Sequence, residues 1–318
     1  MTRCSAAARQ LLDQPLGTAR TGPHLFVSVP LPWPADITQA RGFPVGLQAP
    51  EGTRVLGYVP EGGTPENDGT LTRMIVYGPG TPLARPGFLR REWVVPGGAA
   101  VDVLTSTATE PGGLAEEASA SMTASAEVVG RPTLRELFVC GHGARDSCCG
   151  TAGIPAYRLL REIAQASGRA GRETVVVRRT SHTGGHRFAP TLVDFPSGRY
   201  WGWLTEDDLH ALVARHPSAL PDMLSRYRGS ALLPPAAQVL ERELFARYGW
   251  EWDAAVVRAE LAALPEKRTR VVLDYTLRDS GPSRATAVLG IRASRTVLSC
   301  GRPEEATDRW EILEMSLG

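Results

Sequence analysis

The chain has 318 residues, of which 42% are hydrophobic and 22% charged, and its formal net charge at pH 7 is +1. This composition is typical of a globular protein with two or three domains, and the near-zero charge gives no basic surface of the kind that nucleic-acid-binding proteins carry. The sequence has no apolar run of about 20 residues and no apolar segment near residue 1 that would predict a membrane span or a signal peptide. We therefore expect a cytoplasmic protein that binds neither nucleic acid nor a membrane.

The N-terminal third is predicted to be rich in strands. Apolar runs separated by Gly and Pro clusters predict a short helix at 5–12 and strands at 24–29, 53–59, 71–77, 88–95 and 100–104. The small and polar residues of 111–125 suggest a helix followed by a linker. Because this order of strands is similar to that of the central region, residues 1–127 are interpreted as a degenerate copy of the central fold.

The central region, residues 128–220, is predicted to alternate strands and helices. Helical spacing of apolar residues, turn residues and a Thr cap before acidic residues predict strands at 134–140, 174–179, 191–195 and 200–204, and helices at 154–167 and 205–215. This order indicates a thioredoxin-like core whose middle helix is replaced by a loop with two histidines. That fold carries a cis-proline before its hairpin, so we predict a cis peptide bond at Ala189–Pro190.

The C-terminal region, residues 221–318, is predicted to be a small α+β unit without a chemical motif. Its helices are expected at 236–249 and 254–264, and its strands at 269–277, 284–291, 296–300 and 310–315. The predicted fold class of the whole chain is therefore α/β (α+β), with tandem thioredoxin-like domains, the second of which carries the metal site.

The five cysteines indicate metal or redox chemistry rather than a disulfide framework. Their number is odd, and three of them are clustered: the five are Cys4, Cys140, Cys148, Cys149 and Cys300. Clustered thiols in an intracellular protein are more typical of metal or redox sites. Cys4 and Cys300 are expected to be small buried or free thiols.

Two thiols and two imidazoles follow adjacent strands of the predicted sheet. Cys140 ends the strand at 134–140, and eight residues separate it from Cys149. His182 and His186 follow the strand at 174–179, and the two glycines between them allow the loop to bend so that both rings face one point. Thiolates suit zinc, copper(I) and iron–sulfur clusters, and imidazole suits zinc and iron, so the sequence predicts a four-ligand metal site.

The motif around these residues resembles the sucrase/ferredoxin-like family, which includes the fungal actin-patch-distribution proteins and many bacterial members. The resemblance rests on Cys140-x-His142-x2-Arg145-Asp146-x2-Cys149-Gly150 followed by His182-x3-His186. It implies a thioredoxin-like ferredoxin with a [2Fe–2S] cluster bound by Cys140, Cys149, His182 and His186. Cys148 is the alternative to Cys149, and the spacing of the family motif favours Cys149.

Five further residues are expected beside the ligands without binding the iron. His142 is interpreted as a hydrogen-bonding residue, Arg145 as a donor to the cluster or a partner in a salt bridge, and Asp146 as a side-chain cap of the cysteine loop. Cys148 is the alternative ligand, and Pro190 is the predicted cis-proline.

These observations favour a one-electron transfer protein or reductase component, and whether it is itself an enzyme stays open. Two neutral imidazoles would raise the cluster's potential, as in Rieske centres, and could couple electron uptake to proton uptake. Because no Gly-x-Gly-x-x-Gly motif for a nicotinamide or flavin cofactor is present, we expect a separate reductase as electron donor, an acceptor of unknown identity, and a monomer or homodimer.

Two alternative functions stay open at this point. A structural zinc site could use the same four ligands, although the cysteine spacing is wider than usual. A thiol–disulfide oxidoreductase of thioredoxin type lacks its usual Cys-x-x-Cys motif. Hydrolysis of sucrose is disfavoured, because the sequence shows no convincing pair of catalytic carboxylates.

Overall fold

The computed structural model describes residues 3–47, 49–60, 70–79, 87–96, 134–167 and 173–318. The helices in this part of the chain are α1 (Cys4–Gln10), α2 (Ile154–Ser167), α3 (Glu206–Ala214), α4 (Leu220–Met223) and α5 (Pro235–Tyr248). The first nine strands are β1 (His24–Ser28), β2 (Arg54–Tyr58), β3 (Leu71–Pro79), β4 (Phe88–Pro96), β5 (Leu134–Cys140), β6 (Thr174–Thr180), β7 (Thr191–Phe195), β8 (Arg199–Gly202) and β9 (Tyr227–Ser230). The last four are β10 (Val256–Leu264), β11 (Arg268–Thr276), β12 (Pro282–Thr296) and β13 (Glu305–Leu317).

The first nine strands form one mixed sheet in the order β4-β3-β1-β2-β6-β5-β7-β8-β9. Strands β1 and β2 are parallel, as are β5 and β6, and the other neighbours are antiparallel. The chain is therefore of mixed α/β class with a large mixed sheet. The predicted strand at 100–104, the helix and linker at 111–125 and the boundary after residue 127 lie outside the described residues.

Two halves of this sheet have the same strand order and directions. In the first half the order is β2-β1-β3-β4, and in the second it is β6-β5-β7-β8, to which β9 adds a further strand. The halves meet where Tyr58 of β2 pairs with Thr180 of β6. The backbone hydrogen bond from Ser181 to Gly57 extends this junction past the end of β6.

The elements that flank the cysteine loop agree with the sequence analysis. Strand β5 and helix α2 have the predicted bounds, and α3 begins after Thr205, whose side chain forms a capping box with Asp208. The amphipathic helix α2 packs Leu160 and Ile163 into the main apolar core, and the Ala189–Pro190 peptide bond is cis, as predicted.

The C-terminal strands form a separate four-stranded antiparallel sheet in the order β10-β11-β12-β13. Its buried face joins helices α2, α3 and α5 in one apolar core through residues such as Val271, Leu273 and Leu289. Among the described residues, no helix has the length and apolar character needed to cross a membrane.

Two sequence predictions in this region are wrong. Residues 254–264 were expected to be helical, but Val256–Leu264 is strand β10, which pairs along its whole length with β11. The segment 296–300 was expected to be a strand, but β12 ends at Thr296 and Cys300 lies in the turn before β13. For β10, pairing with a neighbouring strand decides the structure, and local propensity does not report it.

Candidate metal centre

The predicted ligands lie where two parallel strands end at the same edge of the sheet. Strand β5 ends at Cys140 and β6 at Thr180, which are register partners. The segment that we call the cysteine loop, residues 141–149, follows β5. The histidine loop, residues 181–186, follows β6, so the two loops converge at this edge. Two thiols, one at the end of β5 and one in the cysteine loop, and one imidazole, that of His182, meet at this edge.

Cys140, Cys149 and His182 come together in the structure. One donor atom from each lies within 4.8 Å of the other two, and both thiols are 1% exposed. Cys149 begins a π-helical turn, Cys149–Gly153, that leads into α2. This turn passes so close to β5 that a Cβ at Gly153 would lie 1.8 Å from the carbonyl oxygen of Cys140. Glycine at this position therefore allows the second thiol to approach the first.

The two thiols differ in acidity. The pKa of Cys140 lies well below its ordinary value because the thiol of Cys149 donates a hydrogen bond to the Cys140 thiolate, and His182 adds to the effect. The pKa of Cys149 is raised because losing that proton would break the bond and place two anions together. Ionisation of one thiol therefore opposes ionisation of the other, and binding of a cation would favour ionisation of both.

His186 lies beside this group but is not one of its three members. Its ring centroid is 5.2 Å from that of His182, and its Nδ1 donates to Asp146 Oδ2 at 2.8 Å. Burial lowers the pKa of His186 although the Asp146 carboxylate opposes this, so the net shift favours the neutral ring. A carboxylate that binds one ring nitrogen fixes the orientation of the other, as it does for metal-bound histidines.

The bend of the histidine loop depends on its glycines. Gly184 and Gly185 have φ values of 88° and 68°, which favour glycine. A Cβ at Gly185 would lie 2.5 Å from the guanidinium of Arg228, which in turn donates to the carbonyl oxygen of Gly184 at 3.0 Å. Arg228 therefore holds the loop that carries both imidazoles, and its role was not found from the sequence.

The neighbouring residues have distinct positions. The buried His142 bonds through Nε2 to the carbonyl oxygen of Pro34 at 2.7 Å, and Arg145 is exposed. Asp146 accepts a hydrogen bond from the backbone N–H of Cys148 at 2.8 Å, so it caps the cysteine loop as expected. Cis-Pro190 follows the histidine loop directly.

Cys148 does not join Cys140 and Cys149. Its Sγ lies 3.5 Å from Sγ of Cys4 and 3.3 Å from Sγ of Cys300. The structure thus separates the vicinal cysteines, with Cys149 facing Cys140 and His182 while Cys148 faces two remote thiols. No local sequence pattern predicts this second group of thiols, because its members lie up to 296 residues apart.

Thiol and imidazole donors that converge at one edge of a mixed sheet define a candidate metal-binding protein. A family model described as sucrase/ferredoxin-like matches residues 68–229, just over half of the 318 residues. The chain therefore belongs to the sucrase/ferredoxin-like family. The matched segment contains Cys140, Cys149, His182 and His186, whereas Cys4 and Cys300 lie outside it.

Solved structures that resemble part of the chain include a thioredoxin-like [2Fe–2S] ferredoxin from Aquifex aeolicus. One structure of it is 19% identical, covers 26% of this chain and 79% of the ferredoxin, and has a TM-score of 0.24. The wild type at 1.5 Å resolution is 20% identical, and the match covers 26% of this chain and 84% of the ferredoxin with a TM-score of 0.23. Similarity at this level is too low to carry a conclusion about the chain. The search of curated proteins found no match to the chain.

Proposed function

We propose that the chain is a one-electron transfer protein, either a carrier or a reductase component, in which Cys140, Cys149, His182 and His186 hold a [2Fe–2S] cluster. The observation that carries this proposal is the convergence of Cys140, Cys149 and His182 within 4.8 Å, next to a His186 ring oriented by Asp146.

The residues present fit such a group. Two buried thiols and two imidazoles are the ligand set found on Rieske-type irons. Nδ1 of His182 is buried and has no hydrogen-bond partner among the described residues. An unpaired buried nitrogen costs about 1–3 kcal/mol, so its presence beside two thiols favours a site built for a ligand.

When bound, the cluster would supply reversible one-electron chemistry. The chain's own residues set the conditions for it. The burial of Cys140 and Cys149 excludes water from the sulfur atoms, and Asp146 holds the His186 proton at Nδ1. A change in the charge of an ion bound at Nε2 would change the pKa of this Nδ1–H group. Electron transfer would therefore be coupled to proton transfer at the pair formed by His186 and Asp146.

We also propose that the two halves of the nine-stranded sheet are tandem thioredoxin-like domains, 1–127 and 128–220, followed by an α+β region at 221–318. Two stacked pairs support this arrangement. Phe26 of β1 stacks on Phe138 of β5 at 3.7 Å, and Tyr77 of β3 stacks on Phe195 of β7 at 3.9 Å. In each pair the two strands occupy equivalent positions in the two halves of the sheet. Such contacts are expected near a pseudo-two-fold axis that relates one half to the other.

The expected partners follow from this function. We propose that a separate reductase donates electrons to the chain and that the chain passes them to an acceptor, with the protein acting in the cytoplasm as a monomer or homodimer. Tandem domains would place within one chain an interface that single-domain relatives could form only by dimerisation.

An absorption spectrum of the anaerobically purified protein tests the cluster. We expect about two irons and two sulfides per chain, and visible charge-transfer bands that bleach on reduction. A colourless protein without iron or sulfide, which also failed to take up both on anaerobic reconstitution, would contradict the proposal.

Exchanging one histidine for cysteine tests the ligand set. His182→Cys and His186→Cys should each retain a cluster, with a reduction potential lower by about 100 mV or more, because an anionic thiolate replaces a neutral imidazole. The dependence of the potential on pH should weaken as well. Protein-film voltammetry from pH 5 to 9 measures both quantities.

The exposed His216 provides a matched control for these variants. His216→Cys adds a thiol to the surface and should leave both the potential and its pH dependence unchanged. If the potential were unchanged in the His182 and His186 variants too, neither histidine would be a ligand.

A further inference from the structure

Three thiols from remote parts of the chain form a second cluster beside the first. Sγ of Cys148 lies 3.5 Å from Sγ of Cys4 and 3.3 Å from Sγ of Cys300, and the third side of the triangle is 3.5 Å. Oδ1 of Asp146 is 3.7 Å from Sγ of Cys300, and all four donor atoms lie within 4.8 Å of one another.

We propose that Cys4, Cys148 and Cys300, with Asp146 as fourth ligand, bind one zinc ion at a site that does not use Cys140, Cys149 or His182. The site borders His186, whose Nδ1 lies 3.4 Å from Sγ of Cys4. Three sulfur donors and one carboxylate oxygen match the ligand types and the number that zinc takes in four-coordinate sites. The inference does not require the proposed electron-transfer function, because it uses a different set of thiols.

The triangle of sulfur atoms is slightly smaller than an ideal tetrahedral zinc site, in which zinc–sulfur bonds of about 2.3 Å place the sulfurs about 3.8 Å apart. Its edges of 3.3–3.5 Å place its centre about 2.0 Å from each sulfur. An ion about 1.2 Å out of the plane would be about 2.3 Å from all three, which is the zinc–sulfur distance. The tetrahedral separation between a sulfur and an oxygen ligand is about 3.5 Å, close to the 3.7 Å between Cys300 and Asp146.

Burial raises the pKa of Cys4 and of Cys148, so these thiols would ionise on binding a cation. Several hydrogen-bond donors also face the sulfur atoms. Hydroxyl groups donate to two of the sulfurs, Ser5 to Cys148 at 3.4 Å and Ser147 to Cys300 at 3.5 Å. The backbone N–H of Cys4 donates to Cys300 at 3.4 Å. Such bonds stabilise sulfur that carries negative charge. An apolar shell surrounds the group and consists of Ala7, Leu11, Ala152, Ala189 and Val297.

A metal ion accounts for this group better than a disulfide does. A disulfide would join two of the sulfurs at about 2.05 Å and leave the third thiol and the carboxylate without a role. In the structure the three separations are nearly equal, all five cysteines are free, and Cys4 and Cys148 are at most 1% exposed. Cys300 is partly exposed, which gives an ion a path into the site.

The ion would tie three separate segments to the first site. Cys4 begins α1, Cys148 directly precedes the π-helical turn Cys149–Gly153, and Cys300 lies in the turn between β12 and β13. Asp146 also accepts the hydrogen bond from His186 Nδ1. One carboxylate would thus bind the zinc through Oδ1 and orient His186, a proposed iron ligand, through Oδ2, so the two sites would share Asp146.

Metal analysis of the full chain, purified anaerobically without added metal, tests the proposal. Wild-type protein should contain about one zinc per chain. The double variant C4S/C300S should lose zinc by about tenfold or more while it keeps its iron, because it retains only one of three thiolates. The matched double variant C140S/C149S should show the opposite, with its zinc retained and its iron lost.

Cobalt binding provides a second measurement that does not depend on zinc surviving purification. Co²⁺ added to wild-type protein after removal of zinc should produce sulfur-to-cobalt charge-transfer absorption. C140S/C149S should retain this absorption, whereas C4S/C300S should lose it. Circular dichroism of each variant reports whether it is folded.

Two results would overturn the zinc site. One is zinc and cobalt absorption that disappear in C140S/C149S and persist in C4S/C300S, which would place the zinc at the first site. The other is wild-type protein with neither zinc nor cobalt–thiolate absorption, for example with two thiols lost to a disulfide. Iron content reports the electron-transfer proposal separately, so failure of one proposal is distinguishable from failure of the other.

Discussion

Replacing Cys149 with serine should remove the visible absorption of the protein and reduce its iron by about 90% or more, whereas Cys148→Ser should leave both largely intact. The two residues are adjacent, yet the structure turns Cys149 toward Cys140 and His182 and turns Cys148 toward Cys4 and Cys300. A serine hydroxyl does not ionise near pH 7 and is a poor ligand for iron where a thiolate is required.

Iron, sulfide and zinc measured on the same samples check this prediction. Cys148→Ser is the matched control because it makes the same change one residue away, and zinc rather than iron is the metal it should lower. Loss of the cluster in Cys148→Ser with retention in Cys149→Ser would reverse the ligand assignment. Equal loss in both variants would show that the loop needs both thiols to hold the first site.

The sequence was sufficient for the elements that carry the first site. The apolar run Leu134–Cys140 and the helical spacing of Ile154–Ser167 predicted β5 and α2 with the bounds observed. The glycines between His182 and His186 indicated a loop rather than a helix, and both glycines have positive φ. These features are local, because the periodicity of apolar residues and the conformational freedom of glycine depend on only a few neighbouring residues.

The features that the sequence analysis missed are non-local. Strand β10 contains good helix formers such as Ala259, Glu260 and Leu261, but a hairpin turn in which Glu266 and Lys267 have φ values of 59° and 55° pairs it with β11. The approach of Cys4 and Cys300 to Cys148 depends on how α1 and the β12–β13 turn pack against the central loop. No local pattern encodes such contacts, so these thiols could only be described as buried or free.

Removing the charge of Glu136 should lower the free energy of unfolding by about 3 kcal/mol. This side chain of β5 is fully buried and accepts hydrogen bonds from Tyr77, Arg90 and Arg178. Tyr77 and Arg90 belong to the first half of the sheet, while Glu136 and Arg178 belong to the second, so one carboxylate joins the two halves. Glu136→Gln keeps the shape but leaves buried guanidinium groups with less compensating charge, and urea unfolding at pH 7 measures the loss.

The effect should depend on pH with a defined sign. Burial by itself would raise the pKa of Glu136, but Arg178 and Arg90 overcome it and hold the pKa below its ordinary value. The carboxylate therefore stabilises the fold fully above the unfolded-state pKa of about 4.3, and this contribution is lost as the pH falls through the folded-state pKa. The difference between wild type and Glu136→Gln should be greatest near pH 7 and should shrink on acidification. Asp274→Asn, at an exposed pair with Arg284, should change stability little; an equally small change in Glu136→Gln would mean that the buried carboxylate does not join the two halves of the sheet.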